Sequence, residues 1–196
     1  MVATLSVRTD TGGEAGAPGA STDIDDLGPP AMQMRTDDNP VVNNAAPIVI
    51  PPSGTNYSFV KSSYLYCDVA PSLQINNIEF YTDGENTLGA GIGMVVGNQM
   101  PNKNSGSSSG YVPAAGTVGT TGSEMTSFYT GINAVTDVFT LTQAAAKAVT
   151  ISEAGGIINA VGETTNYLVF QMTVASTAAP IAATPNETGT FQYDEI

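Results

Sequence analysis

Histidine and tryptophan are absent from this chain of 196 residues, and cysteine occurs once, at position 67. Without histidine the chain cannot form a Ser-His-Asp or Cys-His nucleophilic site, and it lacks the commonest zinc ligand. A single cysteine cannot form an intramolecular disulfide bond, so we expect Cys67 to be a buried apolar residue. These absences predict a protein that is not an enzyme and has no catalytic residue, cofactor site or metal site.

Basic residues are also scarce. There are five of them against 18 acidic residues, which gives a formal net charge of −13 and a pI of about 4.1. Such a chain repels phosphate backbones and anionic lipid surfaces, so binding to nucleic acid and to membranes is excluded. The five basic residues form no patch in the sequence: Arg8, Arg35, Lys61, Lys103 and Lys147.

Long hydrophobic runs are missing as well. No segment approaches the roughly 20 apolar residues that cross a bilayer as a helix. Residues 1–10 have no positively charged start and no apolar stretch of the length found in signal peptides. We therefore expect synthesis in the cytoplasm without export.

The composition divides the chain into two parts. Residues 1–55 hold seven of the 12 prolines, six glycines and seven acidic residues. Proline fixes φ and removes a backbone donor, so this part is predicted to be an extended arm with short strand-like pieces at residues 3–7, 41–42 and 48–50. An arm of this composition stays ordered only when other molecules hold it, which predicts a protein that lives inside an assembly.

Residues 56–196 are predicted to form the folded domain. Short segments rich in β-branched and aromatic residues alternate with turn residues, as is typical of an all-β protein. This pattern predicts an antiparallel β-sandwich, immunoglobulin-like or jelly-roll-like, with a flexible loop at residues 97–110 and one helical turn at 143–147. The predicted strands are residues 56–61, 64–69, 75–81, 88–96, 135–141, 148–152, 167–174 and 189–193.

Two patterns invite functional interpretations. The glycines at positions 89, 91, 93 and 97 lack the strand-to-helix context of a dinucleotide-binding loop, so we interpret them as a strand whose bare face admits a neighbouring backbone. Acidic clusters at residues 23–28 and 83–86 lack the spacing of an EF-hand calcium loop. We interpret these clusters as solvated turns.

Three segments resemble a recurrent pattern in structural proteins of tailed-bacteriophage virions. They are YSFVK at residues 57–61, INNIEFYTDG at 75–84 and TFQYDEI at 190–196. The resemblance implies a capsid decoration (cement) protein, or a neck or tail accessory subunit, with a β-sandwich fold. Its partners would be the major capsid protein or other virion subunits, together with further copies of itself bound through the arm.

The charge favours a position on the outer capsid surface, because an acidic subunit facing packaged DNA would be repelled. In this hypothesis the protein bridges capsid subunits and stabilises the shell. One alternative is a receptor-binding or carbohydrate-binding module of a tail or surface filament. Another is a filament subunit that donates its arm as a strand, which the missing export signal disfavours.

Overall fold

The computed structural model describes residues 2–25, 32–40, 45–99, 103–179 and 187–196. Strands predominate in these residues, and the one α-helix among them, α1 (Met125–Phe128), has four residues. The predicted all-β class is confirmed. The strands are β1 (Thr4–Thr11), β2 (Ala20–Asp23), β3 (Thr55–Tyr57), β4 (Lys61–Val69), β5 (Ile75–Tyr81), β6 (Ile92–Gln99), β7 (Gly116–Thr117), β8 (Thr121–Gly122), β9 (Ile132–Asp137), β10 (Lys147–Ala148), β11 (Leu168–Ala175) and β12 (Thr190–Glu195).

The larger sheet has the strand order β2-β1-β4-β11-β6-β9, and β3 pairs with the end of β11. All of these pairs are antiparallel. Successive side chains of a strand point to opposite faces, so Leu168 and Phe170 enter one core while Val169 enters the other. Both faces of the sheet are therefore buried at its centre.

The smaller sheet, in the order β10-β5-β12, covers one face of the larger sheet. Phe80 of β5 lies in this first core, and 4% of its surface is exposed. Its ring centroid is 5.3 Å from that of Phe170 in the larger sheet and 5.2 Å from that of Phe191 in β12. One aromatic side chain thus joins three strands across the sandwich.

The other face of the larger sheet is covered mainly by the chain between residues 103 and 131. This second core is rich in tyrosine, whose ring is apolar and whose hydroxyl needs a partner. The Tyr111 hydroxyl donates to the Gly12 carbonyl (2.8 Å), and the Tyr129 hydroxyl accepts from Ala115 N (2.7 Å). The surface loop predicted at 97–110 is present only in part: Ser105, Gly106 and Ser109 are exposed, whereas Lys103 and Gly110 are buried and β6 extends to Gln99.

The first two strands of the N-terminal part belong to the larger sheet. β1 lies between β2 and β4 in the larger sheet, and its register places Val7 opposite Leu65. Leu5 and Val7 pack against the first core. The prediction of an arm held by neighbouring molecules is therefore wrong for β1 and β2, because β4 pairs with β1 and β1 pairs with β2 within the same chain.

Residues 32–40 are also built into the fold. Arg35 and Thr36 are buried, and the Arg35 carbonyl accepts a hydrogen bond from Phe59 N (2.7 Å). Of the three strand-like pieces predicted in this half, the first lies within β1 apart from Ala3. Residues 48–50 form no strand, and residues 41–42 lie outside the described residues.

Other differences from the predictions are local. The strand predicted at 135–141 is β9, which ends at Asp137, followed by a 3-10 turn, Val138–Thr140. The Asp137 carboxylate accepts from Phe139 N (3.0 Å) and so favours the turn over a longer strand. The strand predicted at 148–152 shortens to β10, and the helical turn predicted at 143–147 is a 3-10 turn, Gln143–Ala145.

Candidate functional site

All five basic side chains are buried or paired with a carboxylate. Lys61 is 0% exposed, Arg35 1%, and Lys103 and Lys147 8% each. The fifth, Arg8, is partly exposed, but its guanidinium is 3.0 Å from the Asp68 carboxylate and lies over the Tyr66 ring. Lysine is almost never fully buried unless it is paired. The charge that this protein presents to its surroundings is therefore almost entirely negative.

Lys61 is held by peptide carbonyls. Its Nζ donates hydrogen bonds to the carbonyl oxygens of Asp37 (3.0 Å) and Asn39 (3.1 Å), which fastens the 32–40 segment to the start of β4. Burial lowers the pKa of Lys61 to about 8, although the negative charges of Asp38 and Asp37 act in the opposite direction. The folded protein therefore bears a buried ammonium group near neutral pH.

This arrangement predicts an unusual dependence of stability on pH. Between the folded pKa of about 8 and the ordinary value of 10.5, the unfolded chain binds the Lys61 proton and the folded protein does not. The free energy of unfolding should then rise with pH, by about 1 to 2 kcal/mol from about pH 8 to about pH 10 relative to a Lys61→Met variant. Chemical denaturation of both proteins across this range measures the difference, and parallel pH curves would contradict the prediction.

A second buried polar cluster surrounds Asp10 of β1. The Tyr167 hydroxyl donates a hydrogen bond to Asp10 Oδ2, and Lys103 Nζ lies 3.6 Å from the same oxygen. Lys103 Nζ also donates to Ser108 Oγ (3.1 Å) and lies 4.3 Å from the centre of the Tyr64 ring. Asp10 is 2% exposed, and its Oδ1 is buried with no hydrogen-bond partner among the described residues.

Burial sets the protonation chemistry of this cluster. It lowers the pKa of Lys103, an effect that the negative charge of Asp10 partly offsets. Burial also raises the pKa of Tyr167, and the hydrogen bond to Asp10 raises it further, so the phenol keeps its proton. Burial raises the pKa of the Tyr64 hydroxyl, which shares a hydrogen bond with Ser21 Oγ (2.5 Å). The cluster thus contains one carboxylate, one amine and two neutral phenols.

The glycine pattern has a structural role. Gly91 lies in the turn before β6 with φ of +77°, and a Cβ at this position would lie 2.7 Å from the backbone of Ala178. The close backbone approach expected there is present at Gly91. The strand, however, begins only at Ile92, and Gly89 also lies in the turn with positive φ. The segment therefore enters a strand and not the helix that a dinucleotide-binding loop needs.

The acidic clusters bind backbone groups in the described part of the chain. Asp25 Oδ2 accepts from Val7 N (2.8 Å), and Asp23 Oδ1 accepts from Asp25 N (3.1 Å). Asp83 Oδ1 accepts from Glu85 N (2.8 Å), as in an Asx turn. Residues 26–28 of the first cluster lie outside the described residues. Within the described ranges, no three His, Cys, Asp or Glu side chains are grouped so that they could hold a metal ion.

Several exposed apolar side chains gather at one end of the sandwich. This end carries the last residues of β4 and β12 and the first residues of β1 and β5. Leu73 N donates to the Ile196 carbonyl (2.8 Å), and Gly162 N donates to the Cys67 carbonyl (2.9 Å). We name the group the Leu73 face, and its members are Val2, Leu73, Val161 and Ile196.

A shallow groove of about 410 Å³ runs beside β5 and β10. Glu79 is the titratable residue in its lining, and the Glu79 carboxylate accepts from the Gln192 amide (2.6 Å). The other lining side chains are apolar, amide or hydroxyl groups, so the groove brings no acid and base together.

Sequence reasoning missed the inward placement of the basic residues and the Asp10–Lys103 pair. The two members lie far apart in the sequence, and no motif spacing indicates their contact. No described helix has the length and hydropathy that spanning a membrane requires. Comparison of the chain with family models, with curated proteins and with solved structures found no match.

Proposed function

We propose that this protein is a non-enzymatic structural component of a bacteriophage virion, a capsid decoration protein that binds the outer surface of the shell. The observation that carries the proposal is the burial of four of the five basic side chains and the pairing of the fifth, Arg8, with the Asp68 carboxylate. A surface of nearly uniform negative charge is repelled by packaged DNA and by neighbouring particles, which suits an outward-facing position. The resemblance of the three sequence segments supplies the choice of virion.

Contact with the shell would be made by the Leu73 face and not by an N-terminal arm. Leu73, Val161 and their neighbours offer exposed apolar area at one end of the molecule. Carboxylates lie close by: Glu195 accepts from Ala3 N, and Glu163 accepts from Asn159 N. A capsid surface with apolar residues bordered by lysine or arginine would complement this end in shape and charge.

Binding to particles that lack the protein tests the proposal. We expect the purified chain to bind in numbers comparable to the capsid subunits and to appear on the outside of the head by electron cryomicroscopy. Binding of a few copies at the tail would favour a receptor-binding module instead. Absence of any association with particles would overturn the proposal.

Paired variants test the surface. A Leu73→Asp, Val161→Asp double variant places charge on the Leu73 face and should reduce the occupancy of the protein on capsids at least tenfold. Increased salt should also weaken binding of the wild-type protein, because it screens the charges at the contact. The control is Val118→Asp at the tip of the β7–β8 hairpin, near the opposite end of β4, a strand of nine residues and therefore about 30 Å long. Equal loss of binding in both variants would contradict the choice of face.

A further inference from the structure

Asp10 and Lys103 form a buried amine and carboxyl pair that the proposed function does not use. Lys103 Nζ lies 3.6 Å from Oδ2, one of the two oxygens bonded to the carboxyl carbon Cγ of Asp10. Both residues are more than nine-tenths buried, and Oδ1 has no hydrogen-bond partner among the described residues. We propose that Lys103 and Asp10 join in an intramolecular isopeptide bond between Nζ and Cγ.

The geometry distinguishes this pair from the other buried cations. Lys61 donates to the peptide carbonyls of Asp37 and Asn39, and Lys147 donates to that of Ala134 (2.7 Å). A peptide carbonyl is a poor target for an amine. The guanidinium groups of Arg8 and Arg35 remain protonated and are not nucleophiles. Of the five basic residues, Lys103 therefore has the position for this reaction.

The reaction consumes only the amine and the carboxyl group of the pair and releases one molecule of water. The ammonium group first passes a proton to the carboxylate, which leaves a neutral amine and a neutral acid. The Nζ lone pair then attacks Cγ, a C–N bond forms, and the bond from Cγ to Oδ1 breaks. Oδ1 departs as water with the transferred proton and one further proton from nitrogen, and the product is a neutral secondary amide.

Three features of the cluster favour these steps. Burial lowers the pKa of Lys103, which makes the neutral amine more accessible than in water. Tyr167 donates to Oδ2, the oxygen that carries negative charge in the tetrahedral intermediate, as donors do in an oxyanion hole. The unpartnered Oδ1 is then the leaving oxygen. Tyr167 is therefore the catalytic residue of this proposal.

The surroundings also oppose the reverse reaction. The rings of Tyr64 and Tyr167 lie 4.3 and 5.5 Å from Nζ and restrict access of water. Holding two reacting groups in place corresponds to an effective concentration of about 10⁵ to 10⁸ M in favourable cases. The resulting bond would connect β1 to the chain segment that covers the second core. The bond would reduce the conformational entropy of the unfolded chain, as a disulfide bond does. This chain has a single cysteine and cannot form an intramolecular disulfide bond.

Intact mass spectrometry of the denatured full chain tests the proposal. We expect a mass lower than that of the sequence by one molecule of water. Trypsin cleaves after lysine and arginine, so the linked protein should yield a branched product that joins residues 9–35 to residues 62–147, uncut at Lys103. The full sequence mass, with free peptides 62–103 and 104–147, would overturn the proposal.

Variants distinguish the isopeptide bond from other reactions that remove one molecule of water from the chain. Lys103→Arg keeps the positive charge but cannot form the bond, so it should have the full sequence mass. Lys147→Arg is the matched control and should retain the loss of water. Tyr167→Phe removes the donor to Oδ2 and should slow bond formation by at least tenfold in a time course of intact mass after refolding. A succinimide at an aspartate would persist in Lys103→Arg, and that result would contradict the isopeptide bond.

Discussion

Removing residues 1–55 should leave a chain that does not fold. The deletion takes away β1, which pairs with β4 from Thr4 opposite Val69 to Asp10 opposite Ser62. It exposes one long edge of β4, a strand in which Leu65 and Cys67 are almost fully buried. It also removes Asp37 and Asn39, whose carbonyls accept from Lys61, and leaves that ammonium buried without them. We expect the loss to exceed the roughly 5 to 15 kcal/mol that typically separates folded from unfolded states.

Circular dichroism during denaturation tests whether the truncated and full-length proteins unfold cooperatively. Resistance to protease gives a second measure of folding. A deletion of residues 1–2 is the control, because Val2 is 79% exposed and lies before the first strand. The control should unfold like the full-length protein. A truncated body that unfolds cooperatively, with native strand content, would contradict the prediction and would restore the idea of a separable arm.

The sequence predicted the strands of the body well where the pattern is local. The predicted bounds of β5 are correct, and those of β11 and β12 agree with the structure to within two residues. In β5 the buried Ile78 and Phe80 alternate with polar residues, so one face meets the core and the period is visible in the sequence. β4 is buried on both faces, and its aromatic residues still indicated a strand.

The N-terminal half could not be predicted in the same way. The alternation of Leu5 and Val7 with Ser6 predicts part of β1, but the proline and glycine content of residues 1–55 assigned this piece to an extended arm and not to the main sheet. That strand is stabilised by β4, some 50 residues later, and composition contains no information about the pairing. The glycines Gly12 and Gly13 do not extend the chain but turn it, with φ of +64° and +71°, so that β2 returns beside β1.

The buried cations were beyond sequence reasoning for a related reason. A lysine in a polar stretch, such as Lys103, ordinarily indicates solvent exposure. Its burial depends on Asp10 and on the tyrosines that line the second core, which come from different strands and loops. The consequence for function is large, because turning the positive groups inward converts an acidic chain into one with an almost uniformly acidic surface. The charge count alone gave the sign of that surface but not its uniformity.

Replacing Phe80 by alanine should strongly destabilise the protein. Phe80 contacts Phe170 of the larger sheet and Phe191 of β12, and it is 4% exposed. Loss of a buried phenylalanine leaves a cavity and costs about 3 to 5 kcal/mol. The variant should lose that amount from its free energy of unfolding in urea, with an unchanged dependence on denaturant concentration if the fold is retained.

Phe128→Ala is the matched control for this substitution. Phe128 is 57% exposed and packs by one edge against Tyr129, with 5.1 Å between the ring centroids. Its truncation should cost about 0.5 kcal/mol or less, as is usual for exposed positions. Because both changes remove the same atoms, the difference between them isolates burial between the two sheets. Equal losses in the two variants would mean that the smaller sheet does not pack through Phe80, and the sandwich described above would need a different core.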